Sequence, residues 1–380
     1  MWSVQSKSQA QEPCALAKDI SPVQFEDLFL SNTPLIDVRA PIEFKVGHLP
    51  GAVNLPLLND LERAAVGTAY KTSDQEAAIE LGHQLVSGAA KEARIQAWIN
   101  QLKKHPESVF YCFRGGLRSQ ISREWVKDQG IARPLIEGGY KAGRRFLNER
   151  IETLGPTFAY RVVTGPTGSG KTLLLESCAN QAPVLDLEKL AHHRGSAFGG
   201  FDRPQPSQID FENVVALELM KLKANRPSAD QPVLVEDESR MIGRCAVPAT
   251  IFDRIRIDPA IVIEESLEAR IETIFQEYIV RSPRQHNLGE TFRSAIQAIT
   301  KKLGGVNTRV ILELLTTAEN ESLEGRGLDN HRRWIERLLI CYYDPLYKSS
   351  LQRRDPNIAF RGSRSECREY IRANWTPQAR

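Results

Sequence analysis

Two stretches of this chain carry residue types and spacings suited to chemistry on anions: YCFRGGLRSQ at 111–120 and GPTGSGKT at 165–172. In the first, Cys112 is followed by Arg114, Gly115, Gly116 and Arg118. A thiol reacts as its thiolate, so a nucleophilic cysteine needs surroundings that favour negative charge. The apolar run SVFYC (108–112) reads as a short strand ending at the cysteine, and a helical pattern starts near Ser119. Glycines let the backbone between them turn its N–H groups toward one sulfur, and the helix aims its positive end at the loop. Arg114 and Arg118 add fixed positive charge. Cys112 therefore reads as a nucleophile with Arg114 and Arg118 as its catalytic partners; the plain alternative is a small core cysteine.

The second stretch fits G-x-x-x-x-G-K-[ST] at every fixed position, behind a strand from Tyr160 to Val163 and ahead of a helix. Gly165, Gly168, Ser169 and Gly170 shape a loop whose N–H groups surround a diphosphate. Lys171 neutralises the ligand, and Thr172 reaches a magnesium ion if one binds. The strand VLVEDES ends in acids, of which Glu236 and Asp237 join Thr172 as candidate metal ligands, with Glu238 next to them. Two polar stretches, LEKLAHHRGSAFGG (187–200) and QPSQIDFEN (205–213), read as functional loops, and Arg194 in the first is a candidate contact to the anionic ligand. His192 and His193 are adjacent, a poor spacing for one metal on one helix face. Such a loop serves ATP hydrolysis or holds a diphosphate that leaves intact. The residues alone leave both open.

These loops must be positioned by alternating strands and helices, which implies parallel α/β sheets. PLIDV (34–38) and SVFYC are strands of a first unit, with a helical pattern over 75–104 and a short strand near Pro134–Ile136. ETLGPT (152–157) reads as a linker. Strands at 160–163, 183–188, 232–239 and 257–266 build a second unit, and from about 267 the pattern is mainly helical. The expected division is 15–150, a P-loop domain over 151–280, and a helical basic region over 281–380.

The net charge of +3 hides a gradient: residues 151–280 carry 13 Lys+Arg against 19 Asp+Glu, and residues 281–380 carry 18 against 11. The basic block also holds Trp334, Tyr342, Tyr343, Tyr347, Phe360, Tyr370 and Trp375. Arginines with interleaved aromatics suit a nucleic acid, and equally a solvated helical face over core aromatics. The six cysteines are scattered without a CxxC pair, which argues against a zinc ribbon or a disulfide framework. No apolar run is long enough to cross a membrane. The first residues, MWSVQSKSQAQEPC, lack the apolar core of a secretory signal and read as a frayed arm, so the expected location is cytoplasmic.

The cysteine loop resembles the rhodanese active-site loop. LIDVRAPIEFKVGHLPGAVNLP (35–56) is similar to the rhodanese signature at Asp37, Arg39, Glu43, His48, Gly51, Ala52 and Asn54, and EGGY (137–140) closes the match. The resemblance implies a cysteine that carries transferable sulfur, and structural roles for Asp37 and Arg39. A rhodanese unit joined to a P-loop unit, with DLEKLAHHRGSAFG, QPSQIDFEN and EDESRMIG, resembles the tRNA 2-selenouridine synthase family. Phe113 and Leu117 stand where tryptophan and methionine are usual.

That resemblance implies a transferase acting on tRNA with 2-thiouridine at the wobble position. Geranyl diphosphate alkylates the sulfur, and selenophosphate then supplies selenium, so a selenophosphate supply enzyme is an implied partner. The P-loop would serve the prenyl diphosphate without a requirement for ATP, Cys112 would deliver selenium, and the basic C-terminal block would grip tRNA. The alternative is a rhodanese-type sulfurtransferase with a nucleotide-sensing P-loop.

Overall fold

The computed structural model describes residues 18–194, 204–226, 231–281 and 288–375. The N-terminal arm and positions 195–203 of the loop region lie outside the described residues. The chain divides into two compact units, Met1–Glu149 with Glu212–Leu217, and Arg150–Phe211 with Glu218–Arg380.

The first unit is built on three parallel strands, β1 (Leu35–Asp37), β2 (Ala52–Asn54) and β3 (Val109–Tyr111), in the order β2-β1-β3. Phe110 bridges in parallel to Leu135, and Ile20 to Ile136, which extends the sheet as single-residue ladders. β1 and β3 are buried along their whole length, as apolar strands covered on both faces must be. Ile36, Phe110, Trp98, Leu102 and Val126 fill the core. Arg39 and Asp37 are a buried pair with Nη2–Oδ2 at 2.6 Å, and Arg39 also donates to Gly47 O at 2.8 Å and lies over Tyr140. This pair knits the sheet to its neighbours, so its role is structural.

The helical pattern over 75–104 resolves into two helices, Gln75–Leu85 and Gly88–Lys104, and a further helix precedes them at Asp60–Thr72. Asn59 caps that extra helix by accepting from Glu62 N at 2.8 Å. The supposed linker 152–157 is instead the last turn of helix Gly139–Leu154 followed by a tight turn, Gly155–Thr157.

The second unit carries five parallel strands: β4 (Tyr160–Thr164), β5 (Val184–Leu185), β6 (Val233–Glu236), β9 (Ala260–Ile263) and β10 (Ile358–Gly362), in the order β10-β9-β4-β6-β5. A small antiparallel hairpin, β7 (Met241–Ile242) and β8 (Cys245–Ala246), follows β6. The stretch 205–213 is not a loop throughout. Ser207 accepts from Asp210 N and starts the helix Gln208–Asn225.

The C-terminal block is mainly helical, as its pattern implies, and adds one strand. β10 forms the sheet edge beside β9, and helix Arg364–Trp375 places Cys367, Ile371 and Trp375 in the core with Leu174 and Ile261. Its aromatics are mainly packing groups. Trp334 and Trp375 are buried, Phe360 stacks on Tyr370, and Tyr342 and Tyr343 pack against a separate helical core with Phe275 and Leu338. Stacking of Trp334 or Trp375 on bases is therefore ruled out in this fold. Among the described residues, no helix is long and apolar enough to cross a membrane.

Candidate active sites

The sulfur site lies in the first unit. β3 delivers Cys112 to a loop that ends at Gly116, the cap of helix Leu117–Lys127. Gly139, at φ +57°, lets its chain pass against the loop so closely that a Cβ there would collide with Cys112 O and Gly115 N. Tyr140 N donates to Cys112 O at 2.8 Å and Lys141 N to Phe113 O at 3.0 Å, which pins the loop from the EGGY side. Cys112 is 3% exposed. Its Sγ accepts from Ser119 Oγ at 3.2 Å and lies 3.7 Å from Gly116 O.

The two arginines separate. Arg114 is exposed beside the Phe113 ring. Arg118 is half-buried and committed to Glu43, with Nη1–Oε2 at 2.5 Å. Burial pushes the Glu43 carboxyl up, but Arg118 and the backbone of Ala40 outweigh it and hold it below its usual range. Ser119 and Glu43 are thus the site's unforeseen members. Glu43 belonged to the signature, and Ser119 was visible only as a helix start.

Beside Cys112 opens a cavity of about 1000 Å³ lined mainly by aliphatic and aromatic side chains, among them Leu57, Val66, Ile79 and Trp125. The other cysteines are of another kind. All five described cysteines are free. Burial pushes the thiols of Cys178 and Cys245 up, and that of Cys367 to about 11, which suits inert packing groups.

The phosphate site lies in the second unit, where β4 runs into the loop 165–170 and helix Lys171–Cys178 begins. Gly170 has φ +79°, and the Arg364 guanidinium occupies the space a side chain there would need. Arg270 braces the loop from below: it is buried, donates from Nε to Thr167 O at 2.9 Å and pairs with Asp344. Lys171 Nζ rests 3.4 Å from Gly165 O. Ser169 Oγ is buried without a partner.

The acids arrange themselves differently from the sequence expectation. Thr172 Oγ1 donates to Glu236 Oε1 at 2.9 Å and lies 3.4 Å from Glu188 Oε2. Glu188, Glu236 and Glu238 bring carboxylate oxygens within 4.8 Å of one another. Asp237 does not join them, because side chains alternate along an extended strand end. It accepts from Thr164 Oγ1 at 2.7 Å and pairs with Arg354 at 2.6 Å. Arg194 lies 3.7 Å from Glu277 and over the Tyr278 ring.

Burial, reinforced by Glu188 for both and by Glu238 for Glu236, pushes Glu236 and Glu238 well above the carboxylate range. Burial opposes the charge on Lys171, yet the surrounding carboxylates win and hold its ammonium above its usual value. Glu236 Oε2 is buried and without a hydrogen-bond partner. Three crowded carboxylates, one with an orphaned oxygen, beside a threonine hydroxyl form an oxygen donor set that fits a hard divalent cation.

A narrow apolar slot of about 30 Å³ adjoins Thr167, between Tyr278, Phe292, Trp334 and Tyr343. That is room for one water-sized group.

Comparison with known proteins agrees with this division. Residues 21–145 match the rhodanese-like domain, and residues 158–377 match the family described as tRNA 2-selenouridine synthase AAA domain. A protein of Nitrosomonas eutropha described as tRNA 2-selenouridine synthase is 48% identical over 372 residues, covering 91% of this chain and 95% of that one. One from Nitrosomonas europaea with the same description is 45% identical, covering 93% and 98%. Among solved structures, the N-terminal domain of a putative ATP/GTP binding protein from Clostridium difficile 630 is 29% identical over 34% of this chain and 98% of its own, with a TM-score of 0.30. A rhodanese unit ending in an intact cysteine loop, a phosphate loop with its acids, and similarity along nearly the full length lead to one conclusion: the chain belongs to the tRNA 2-selenouridine synthase family.

Proposed function

We propose that this protein replaces the sulfur of wobble 2-thiouridine in tRNA by selenium, in two steps divided between its two loops. The observation that carries the reading is the pairing, in one chain, of a cysteine at the wall of an apolar cavity with a phosphate loop whose Ser169 hydroxyl is buried with no partner among the described residues.

The first step is alkylation. The thiocarbonyl sulfur attacks C1 of geranyl diphosphate, the S–C bond forms, the C–O bond breaks with its electron pair passing to the diphosphate, and the N3 proton of the base is released to solvent. The loop N–H groups and Lys171 hold that leaving group. Thr172, Glu188, Glu236 and Glu238 would hold a magnesium ion, which supplies charge neutralisation to a diphosphate when bound. No residue of this scheme requires ATP.

The second step is exchange. Alkylation matters because sulfide is a poor leaving group, whereas an alkylthio group departs as a neutral thiol. Selenium from selenophosphate bonds to C2 of the base, the C2–S bond breaks toward sulfur, and a proton completes the thiol. Water then cleaves the Se–P bond and releases phosphate. Cys112 and its loop deliver the selenium, with Ser119 supplying a hydrogen bond to the anion and Arg114 a charge at the mouth. The exposed arginines of the C-terminal block supply the tRNA contact through phosphate pairing rather than aromatic stacking.

The test is direct. Purified protein is incubated with 2-thiouridine tRNA and geranyl diphosphate, with and without selenophosphate, and the nucleosides are read by mass spectrometry. Geranylated nucleoside is expected first, and selenouridine when selenophosphate is added. Cys112→Ala stops at the geranylated product, and Lys171→Ala leaves thiouridine. Unchanged thiouridine with the unaltered protein, or product formation that demands ATP hydrolysis, overturns the scheme.

A further inference from the structure

The helical hairpin of Asp60–Thr72 and Gln75–Leu85 is unusual in what it fails to bury. The first helix has no buried residue and the second has one, Ala78. A surface helix ordinarily places an apolar stripe against a core. Here Val66 touches the core only from its edge, and Val66, the half-buried Ile79 and the exposed Tyr70 border the cavity beside Cys112. Trp125 and Leu57 line the same space, and the exposed apolar side chains of Phe113 and Leu117 border it as well.

The volume does not suit an anion donor alone. Selenophosphate has five heavy atoms and displaces on the order of 100 Å³, at about 30 Å³ for each water-sized group. The cavity is about 1000 Å³. Its interior is apolar, whereas Arg63, Lys71 and Arg114 contribute positive charge to its lining. That pattern fits an occupant with an apolar tail and an anionic body. The slot beside Thr167, at about 30 Å³, has no comparable room.

We propose that the cavity of the first unit binds the prenyl chain carried on the sulfur of the alkylated base while that sulfur is replaced. This rests on the two-step function given above and assigns the chain's place in its second step. The chain fills the space under the hairpin, the thioether sulfur comes to rest beside Cys112, and the phosphates of the tRNA meet the cationic groups. The thiol released by exchange leaves from the same cavity. An acyl chain of a lipid or an apolar segment of another protein would meet the same walls but would bring no thioether to Cys112.

Gly67 offers a clean test. It lines the cavity, and a Cβ there would meet only Arg63, at an ordinary 3.6 Å. Gly67→Phe therefore fills the cavity from a helical position that prefers almost any residue to glycine. Purified full-length protein is given selenophosphate and tRNA bearing either S-geranyl- or S-methyl-2-thiouridine. The expected result is at least a tenfold fall in selenouridine from the geranyl substrate and less than a threefold fall from the methyl one. An equal fall for both, or none for either, overturns the proposal. A ten-carbon prenyl thiol bearing a diazirine gives a second readout. Photolysis should label peptides from 57–86 and 112–125, and Gly67→Phe should abolish the labelling. Label found only around Thr167 and Tyr278 overturns it. Failure of the unaltered protein to alkylate thiouridine would sink the two-step function instead, and labelling alone would then decide whether the cavity takes an apolar chain.

Discussion

The sulfur loop and the phosphate loop share a backbone plan and differ in where they keep their charge. Each follows a buried parallel strand, turns through glycines with positive φ, and opens a helix. At the phosphate loop the cation is central. Lys171 sits among Glu188, Glu236 and Glu238, so the site is over-acid until a ligand and a counter-cation arrive. At the sulfur loop the cations are peripheral. Arg118 is neutralised by Glu43, Arg114 faces solvent, and the Cys112 sulfur meets a serine hydroxyl and an apolar cavity. One backbone plan thus holds two different environments: a buried ionic network, and a nearly neutral wall beside an apolar space.

If backbone geometry is what the two sites share, disturbing it should be the most damaging change. Gly139→Ala forces a side chain into Cys112 O and Gly115 N at a left-handed position. The sulfur loop must shift by a good part of an ångström, and a misplacement of that size costs roughly a hundredfold in rate. Selenium incorporation is expected to fall by about that factor. Geranylation should persist, because the altered glycine belongs to the other unit. Equal loss of both products would show that the two loops are not independent. Mass spectrometry of the two nucleosides reads the difference.

The second contrast, buried against peripheral charge, predicts a pH dependence of stability. Glu236 and Glu238 have folded-state pKa values raised above the unfolded ones. Their contribution is fully present below about pH 4.5 and is lost as pH rises through the raised values. Metal-free protein should therefore melt lower at pH 8 than at pH 5, close to the unfolded value. Magnesium at a hundred times its Kd adds about 2.7 kcal/mol, or roughly 5–10 °C in a unit of this size. That gain should be larger at pH 8, and Glu236→Gln should remove most of both effects. A melting temperature that ignores both magnesium and this substitution would mean the carboxylates hold no cation. Scanning calorimetry at the two pH values decides it.

Much of this contrast was legible in the sequence, and the reasons for the rest are physical. Glycine patterns and apolar strand ends announced both loops, because those constraints are local in the chain. Partner choice is not local. Glu43 lies far from Arg118 in sequence, and only the folded sheet brings their side chains together. Asp237 reads as a ligand because it neighbours Glu236 in the chain, whereas strand alternation turns it to Thr164 and Arg354, and Glu188, distant in sequence, takes a place beside Glu236. The helix Asp60–Thr72 escaped because it buries no residue fully: Val66 reaches the core only from its edge, while Leu61 and Tyr70 are exposed, which leaves a weak stripe. The C-terminal strand was hidden for the opposite reason. NIAFRG is short and sits between arginine-rich segments, and only pairing with β9 makes it a strand.

The smallest effect separates the two arginines. Arg114→Ala removes an exposed charge with no ion-pair partner among the described residues, so its loss should raise the KM for selenophosphate only a few-fold. Interactions of exposed charges amount to about 0–1 kcal/mol, and salt should mask the change. Arg118→Ala acts by another route. It leaves the half-buried carboxylate of Glu43 with only the Ala40 N–H at 3.1 Å and a long contact to Arg63 at 3.8 Å, so the cost falls on the loop's stability and on its tolerance of any anion. That damage should be reversed in the double variant with Glu43→Gln, whereas Glu43→Gln should do nothing for Arg114→Ala. A double-mutant cycle on KM, run at low and high salt, makes the distinction. If both arginines behave as Arg114 is expected to, Arg118 faces the incoming anion directly, and the charge of the sulfur loop is less peripheral than its pairing with Glu43 implies.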